Sequence, residues 1–298
     1  METGPSIQFE PHFTAFIDLL GFAEASTGCD DFTRAKVLAF LLSISSIRSE
    51  YDFKSEATEN GTTIQIRPTI STFSDHIVIS YPLKRMAASL GKDDSRVPLH
   101  VLSGFSSMLT GIAVAALSIG FLIRGGVAIG NLYHSSGIVF GEAMVKAYSL
   151  ESKTAIYPRV VLSQDVCTQT DWIRWGKTHL RRGNDGLYYF NYYRDLIIRS
   201  APPGDRWMDG TKAWSAYLNQ LLAENLSKLE KEGSIAAFSK WAWFANELYA
   251  AMSEIPVDTR RALELDIEAI PKVVFSVPGQ AQSSEQKRAD QPTSQSVP

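Results

Sequence analysis

Two aspartates interrupt runs of residues that otherwise read as core strands. Asp18 stands within Phe13–Leu19 (FTAFIDL), and Asp75 within Phe73–Ser80 (FSDHIVIS). A carboxylate in such a setting is costly to bury unless it is paired, hydrogen-bonded or metal-bound. Taken singly, Asp18 could be satisfied by backbone amides of the turn Leu19-Leu20-Gly21-Phe22. Side by side on neighbouring strands, the two acids would lie within about 5 Å of each other. Carboxylates that close repel unless a cation lies between them. Hard divalent ions such as Mg²⁺ or Mn²⁺ suit oxygen ligands of this kind. Two such ions suit attack on phosphorus, one lowering the pKa of the attacking hydroxyl and the other holding the phosphates and the leaving pyrophosphate. The backbone carbonyl of Leu19 is a natural further ligand. Leu19 to Phe22, with Gly21, form the candidate phosphate loop, because glycine lets phosphate oxygens approach main-chain amides closely. His76 is expected on the strand face opposite Asp75, as a structural histidine. No GxxxxGK[ST] or GxGxxG motif is present, so neither a P-loop nor a Rossmann site is supported. Gly125-Gly126 with Gly130 reads equally as packing beneath a helix or as a ligand loop.

Those acids need a sheet to bring them together, and the pattern supplies one. Phe13–Leu19 is a core strand. A helix is expected over Asp31–Tyr51, with Val37, Phe40, Leu41, Ile44 and Ile47 at helical spacing. Asn60-Gly61 marks a turn. Thr69–Ser80 reads as a hairpin with Asp75 at its bend. A long buried helix, Pro98–Ile123, runs into a strand at Leu122–Gly130. A turn and short strand at Ser135–Phe140 lead to a helix at Gly141–Lys153 and a strand at Tyr157–Ser163. This alternation predicts an α/β fold, an α+β sandwich with helices over one sheet. Residues 164–200 are polar and aromatic and end strand-like at Gly186–Tyr193. Residues 211–253 read as one or two packing helices, in which Trp241 and Trp243 are core residues like Trp172 and Trp175. The expected organisation is an N-terminal segment (1–11), a catalytic domain (12–200), a helical extension packed on it (201–275) and a disordered tail (276–298).

Composition narrows the class. The chain has 298 residues, 45% hydrophobic and 20% charged, with a formal net charge of -3. That charge argues against binding nucleic acid through general basicity. Cys29 and Cys167 have no metal-ligand spacing and read as free thiols of a reducing, cytoplasmic compartment. Leu109–Ile123 is an uncharged stretch of fifteen residues, short of the roughly 20 that span a bilayer, so a buried helix rather than a membrane segment is expected. Glu2 and Glu10 in the first eleven residues argue against a secretory leader.

Five segments in order, FIDLLGF, FSDHIVIS, IRGGVAIG, GIVFGEAMVKAYSLES and YPRVVLS, resemble the class III adenylate and guanylate cyclase catalytic domain. They resemble more closely the bacterial pyrimidine cyclases of Pycsar anti-phage defence, over roughly residues 12–195. The resemblance implies a ferredoxin-like palm sheet with helices, acting as a head-to-tail homodimer with sites at the interface. It places two divalent ions per site, Mn²⁺ or Mg²⁺, on Asp18 and Asp75. The departures matter. Where purine cyclases carry base-reading lysine and acid residues, this chain has Ser71 and Ile138. Where they carry a ribose-orienting asparagine and a transition-state arginine, it has Val145 and Ser149. A cation is still needed on the developing phosphorane, and the candidates are Lys146 and Arg124, with Lys153 and Arg159 further away. Arg182, in Arg181-Arg182-Gly183, resembles a triphosphate-binding position, and Tyr51 could fill space left by a smaller base. The implied activity is conversion of UTP to cyclic UMP, with CTP as the second substrate and a cyclic-nucleotide-responsive effector as downstream partner. A purine cyclase and an inactive nucleotide-binding sensor domain are the alternatives.

Overall fold

A computed structural model describes residues 9–23, 31–46, 53–55, 64–90, 94–198 and 207–273. Tyr51, Cys29, the Asn60-Gly61 turn and the expected tail lie outside them. The first strand, β1 (Glu10–Leu20), is apolar on both faces because both faces are covered. Phe13, Ala15, Ile17 and Leu19 enter the main core. Phe16 points the other way, into a smaller cluster with Val78, Ala128 and Ala147. Asp18 shares that second face by the two-residue period.

From β1 the chain runs through helix α1 (Asp31–Ser46), a small hairpin of β2 (Phe53–Ser55) and β3 (Ile64–Ile66), then β4 (Thr69–Phe73) and β5 (His76–Pro82). Next come α2 (Leu83–Ser89), α3 (Val97–Leu117), β6 (Leu122–Ser135), β7 (Ile138–Gly141), α4 (Glu142–Lys153) and β8 (Val160–Leu162). Two short helices, α5 (Gln164–Cys167) and α6 (Thr170–Gly176), lead to β9 (Leu180–Arg182), β10 (Tyr188–Phe190) and α7 (Tyr193–Ile198). Three helices follow, α8 (Trp207–Lys231), α9 (Ile235–Ser253) and α10 (Val257–Ala262). The main sheet has eight strands in the order β4-β5-β1-β6-β8-β10-β9, with β7 hairpinned onto β6. Along β4, β5, β1 and β6 each strand is antiparallel to the next. With α1 and α3 as their connections they form a ferredoxin-like βαββαβ unit. Helix α4 then crosses the opposite face, and β8 joins β6 in parallel.

The expected sandwich is present, with shifted boundaries. Helix α3 ends at Leu117, not Ile123, because Gly120 turns the chain at φ +87°. Its Val101, Leu102, Phe105, Met108, Leu109 and Ile112 are buried in the core. That burial accounts for the apolar stretch, although the helix is long and apolar enough to cross a membrane. Strand β6 runs on to Ser135 and reverses through Ser136 and Gly137, both at positive φ (53° and 78°), as a type I′ turn requires. The polar, aromatic residues 164–200 carry helices α5, α6 and α7, and the strand-like Gly186–Tyr193 shrinks to Tyr188–Phe190. Trp172 stacks on Phe13 at 5.4 Å, and Trp243 on Tyr157 at 5.5 Å. At the far edge Arg181 of β9 pairs with Glu247 at 2.9 Å and with Glu254, holding α9 against the sheet.

The glycine-rich β6 resolves as packing. A Cβ at Gly126 would lie 2.3 Å from the Ala147 carbonyl oxygen and 2.5 Å from Leu150 Cβ. A Cβ at Gly130 would approach the Ala143 nitrogen to 3.2 Å. Backbone contact of this kind lets α4 sit directly on the sheet. Gly126→Val should therefore cost about 3 kcal/mol by overpacking, read as a lower urea midpoint at unchanged m.

Candidate functional site

Three strand ends converge beside α4. In the register Asp18 of β1 lies opposite His76 of β5 on one side and opposite Arg124 of β6 on the other. Directly opposed residues share a sheet face, so all three side chains project toward α4. The β4–β5 hairpin turns through Ser74 and Asp75, with Ser74 in the left-handed region at φ 55°. The Leu19 amide donates to the Asp75 carbonyl at 3.3 Å, which ties that turn to β1. Helix α4 supplies Tyr148, Glu151 and Ser152, closing a cleft of about 380 Å³.

Arg124 is the electrostatic centre. Its Nε donates to Asp18 Oδ2 at 2.9 Å. Its Nη2 lies 2.7 Å from Glu151 Oε1, an ion pair not aligned as a hydrogen bond. Asp18 is 6% exposed and Glu151 2%, so one guanidinium spans two buried carboxylates. Burial pushes the Glu151 carboxyl above the usual range; Arg124 opposes the shift and the nearby Asp18 charge adds to it. His76 Nδ1 lies 3.1 Å from Asp75 Oδ1, and its Nε2 3.8 Å from Asp18 Oδ1. The imidazole is wedged between Phe16, with ring centroids at 4.9 Å, and Phe73, at 5.3 Å.

This donor set fits a divalent cation. One ligand atom each from Asp18, Asp75 and His76 lies within 4.8 Å of the others. An ion with ligands at about 2.1 Å holds opposed ligands about 4.2 Å apart, so small side-chain movements suffice. The expectation for His76 is corrected here. Asp75 belongs to the turn rather than to a strand, so the two-residue period does not separate it from His76, and the register with Asp18 brings the imidazole to the acids.

The remaining expected residues divide. Leu19, Gly21 (φ +97°) and Phe22 line the cleft with Asp18, Asp75 and Arg124. Ser71 does not; its hydroxyl meets His134 Nε2 at 2.9 Å, and His134 Nδ1 meets Ser80 at 2.8 Å. Ile138 is exposed on β7. Lys146 pairs with Glu142 at 2.9 Å and with Asp165 at 2.6 Å, away from the cleft. Five residues at about 100° each set it on the far side of α4 from Glu151. Arg182 lines a separate recess beside Arg159 and Asp185, and its Nε donates to the Gly186 carbonyl at 3.3 Å. Arg159 is buried and engaged by Asp185.

Glu151 and Tyr148 were not singled out from the sequence. A signal for Glu151 was there: Ala143, Ala147 and Glu151 recur every four residues as the buried stripe of α4, and an acid on such a stripe needs a partner.

No protein-family profile matches the chain, and no curated protein does. Among solved structures, a bacterial light-regulated adenylyl cyclase is similar at 13% identity and a TM-score of 0.32, over 61% of this chain and 51% of that one. The match thus spans about half of that protein's length.

Arg124→Met leaves the Asp18 and Glu151 carboxylates without their cation and should cost about 3 kcal/mol of stability. Adding Glu151→Gln should recover a measurable part of it, which a double-mutant cycle by urea unfolding reads directly.

Proposed function

We propose that this protein is a nucleotide cyclase, and within that class a pyrimidine cyclase that converts UTP to 3′,5′-cyclic UMP and pyrophosphate. The observation that carries the reading is the convergence of Asp18 and Asp75 on one cleft at the end of a ferredoxin-like sheet, beside the positive-φ turn at Gly21. The five segment resemblances point the same way, and the absence of purine-reading groups at Ser71 and Ile138 favours a pyrimidine.

In the proposed reaction the 3′ hydroxyl gives its proton to solvent water and its oxygen bonds to the α-phosphorus, while the bond from that phosphorus to the oxygen bridging to the β-phosphate breaks and pyrophosphate leaves. Mn²⁺ or Mg²⁺ held by Asp18 and Asp75, with the Leu19 carbonyl, would acidify the 3′ hydroxyl and neutralise the departing pyrophosphate. The chain's own residues do the rest. Amides of the Gly21–Phe22 turn can donate to phosphate oxygens. Arg124 orients Asp18 through its 2.9 Å hydrogen bond and is the cation of the cleft, the role that Lys146, paired with Glu142 and Asp165, is not placed to take within one chain.

A homodimer belongs to this reading. Ser71, Ile138 and Arg182 stand outside the cleft of their own chain, and a head-to-tail pair is the arrangement in which a second copy would supply them. Apolar side chains left exposed support it: Phe73 (46%) at the end of β4, Val145 (66%) on α4, and Ile138 (56%) and Phe140 (49%) on β7. The cyclic product would act in the cytoplasm on a separate effector.

Incubation with ATP, GTP, CTP and UTP and Mn²⁺, with products identified by mass, should give cyclic UMP and equimolar pyrophosphate. Asp18→Asn or Asp75→Asn should lower turnover at least about 10²-fold. Cyclic CMP or a cyclic purine would overturn the base assignment. Nucleotide binding without any turnover would overturn the enzyme and leave a sensor domain. Ile138→Asp with Val145→Asp should yield a monomer by light scattering and abolish turnover; an unchanged dimer would place the interface elsewhere.

A further inference from the structure

The most singular group in the cleft is His76. We propose that His76 is itself a metal ligand, so that the site presents an imidazole nitrogen beside carboxylate oxygen and selects Mn²⁺ over Mg²⁺. The inference rests on the metal site of the reading above and not on its substrate.

Three observations carry it. His76 Nε2 faces Asp18 Oδ1 at 3.8 Å, within the span that two ligands of one ion can occupy, about 4.2 Å when opposed. Its other nitrogen faces Asp75 Oδ1 at 3.1 Å, off the line of a hydrogen bond. One ligand atom of Asp75 nonetheless lies within 4.8 Å of one on Asp18 and one on His76, so the carboxylate can share an ion with the ring rather than hold it by a hydrogen bond. Finally, the ring has little freedom to turn away: Phe16 and Phe73 flank it at 4.9 and 5.3 Å, and β5 pairs with β1 at that very residue.

The chemistry follows from the donor types. Mg²⁺ demands oxygen ligands and gives up water reluctantly. Imidazole nitrogen favours first-row transition ions over Mg²⁺, and although Mn²⁺ is the weakest binder of that series and shares the carboxylate preference of Mg²⁺, it is the one of the two that gains from a nitrogen donor. A site with one imidazole and two carboxylates therefore gains more from Mn²⁺ than an all-carboxylate site would.

The test uses full-length protein, Mn²⁺ alone and no nucleotide. Free Mn²⁺ is titrated by its electron paramagnetic resonance signal, and bound Mn²⁺ is examined for nitrogen coupling in protein carrying natural or ¹⁵N-labelled histidine. The expected result is an imidazole coupling that changes with the isotope and disappears in His76→Gln. Mn²⁺ affinity should fall about 10-fold or more in that variant, with a much smaller change for Mg²⁺ measured by competition. His76→Asn serves if the glutamine variant melts early, and the isotope shift in the unmutated protein needs no variant. Bound Mn²⁺ without isotope-sensitive coupling, coupling that survives both substitutions, or no Mn²⁺ binding would each overturn the proposal. Oxygen-only coordination alongside cyclic UMP formation would sink this inference and leave the cyclase; imidazole coordination without turnover would do the reverse.

Discussion

The hydrogen bond from Arg124 to Asp18 joins the two central strands where their side chains leave the sheet, and the rest of the site is arranged around it. Asp18 is nearly dry. Without Arg124 it would be an unpaired charge against apolar neighbours, and β1 would carry a penalty in its most buried stretch. The same guanidinium reaches Glu151, so α4 is tied electrostatically at the point where Gly126 lets it touch β6. Strand pairing, helix seating and the pairing of two buried carboxylates are thus one interaction seen from three elements.

The cleft is built from unequal parts. β1 pairs along its length on both edges, whereas β5 starts from a two-residue turn that joins it to the edge strand β4. A serine at positive φ in that turn stores a little strain. Its return is that Asp75 is thrown clear of the strand, with its carbonyl still anchored on Leu19. The buried serine–histidine–serine chain of Ser71, His134 and Ser80 fastens β4 and β5 to β6 further along, and so keeps the hairpin from drifting sideways.

Much of this was legible in the sequence. An acid inside an apolar strand is a local contradiction, and Asp18 and Asp75 each announce one. The βαββαβ order follows from alternating periods, and Gly125-Gly126 flags a close approach without saying of what. Other features depend on register, which single-strand patterns do not encode. His76 lands beside Asp18 only because β5 pairs with β1 at that residue, and Lys146 turns away only because Ala143, Ala147 and Glu151 own the sheet-facing stripe of α4. Helices α5 to α7 escaped notice because they are short and their buried faces carry few residues each.

Gly126 has a consequence beyond packing. With no side chain there, the spacing between α4 and the sheet is fixed by backbone touching backbone, the shortest separation a helix and a strand can adopt. Such a gauge has no softer setting. Substitutions on the outer face of α4 leave that contact untouched, but the depth of the cleft depends on side chains missing from the sheet, above all at Gly126. The outer face of α4 and the floor of the cleft are therefore set by different constraints, one by side chains and the other by backbone contact.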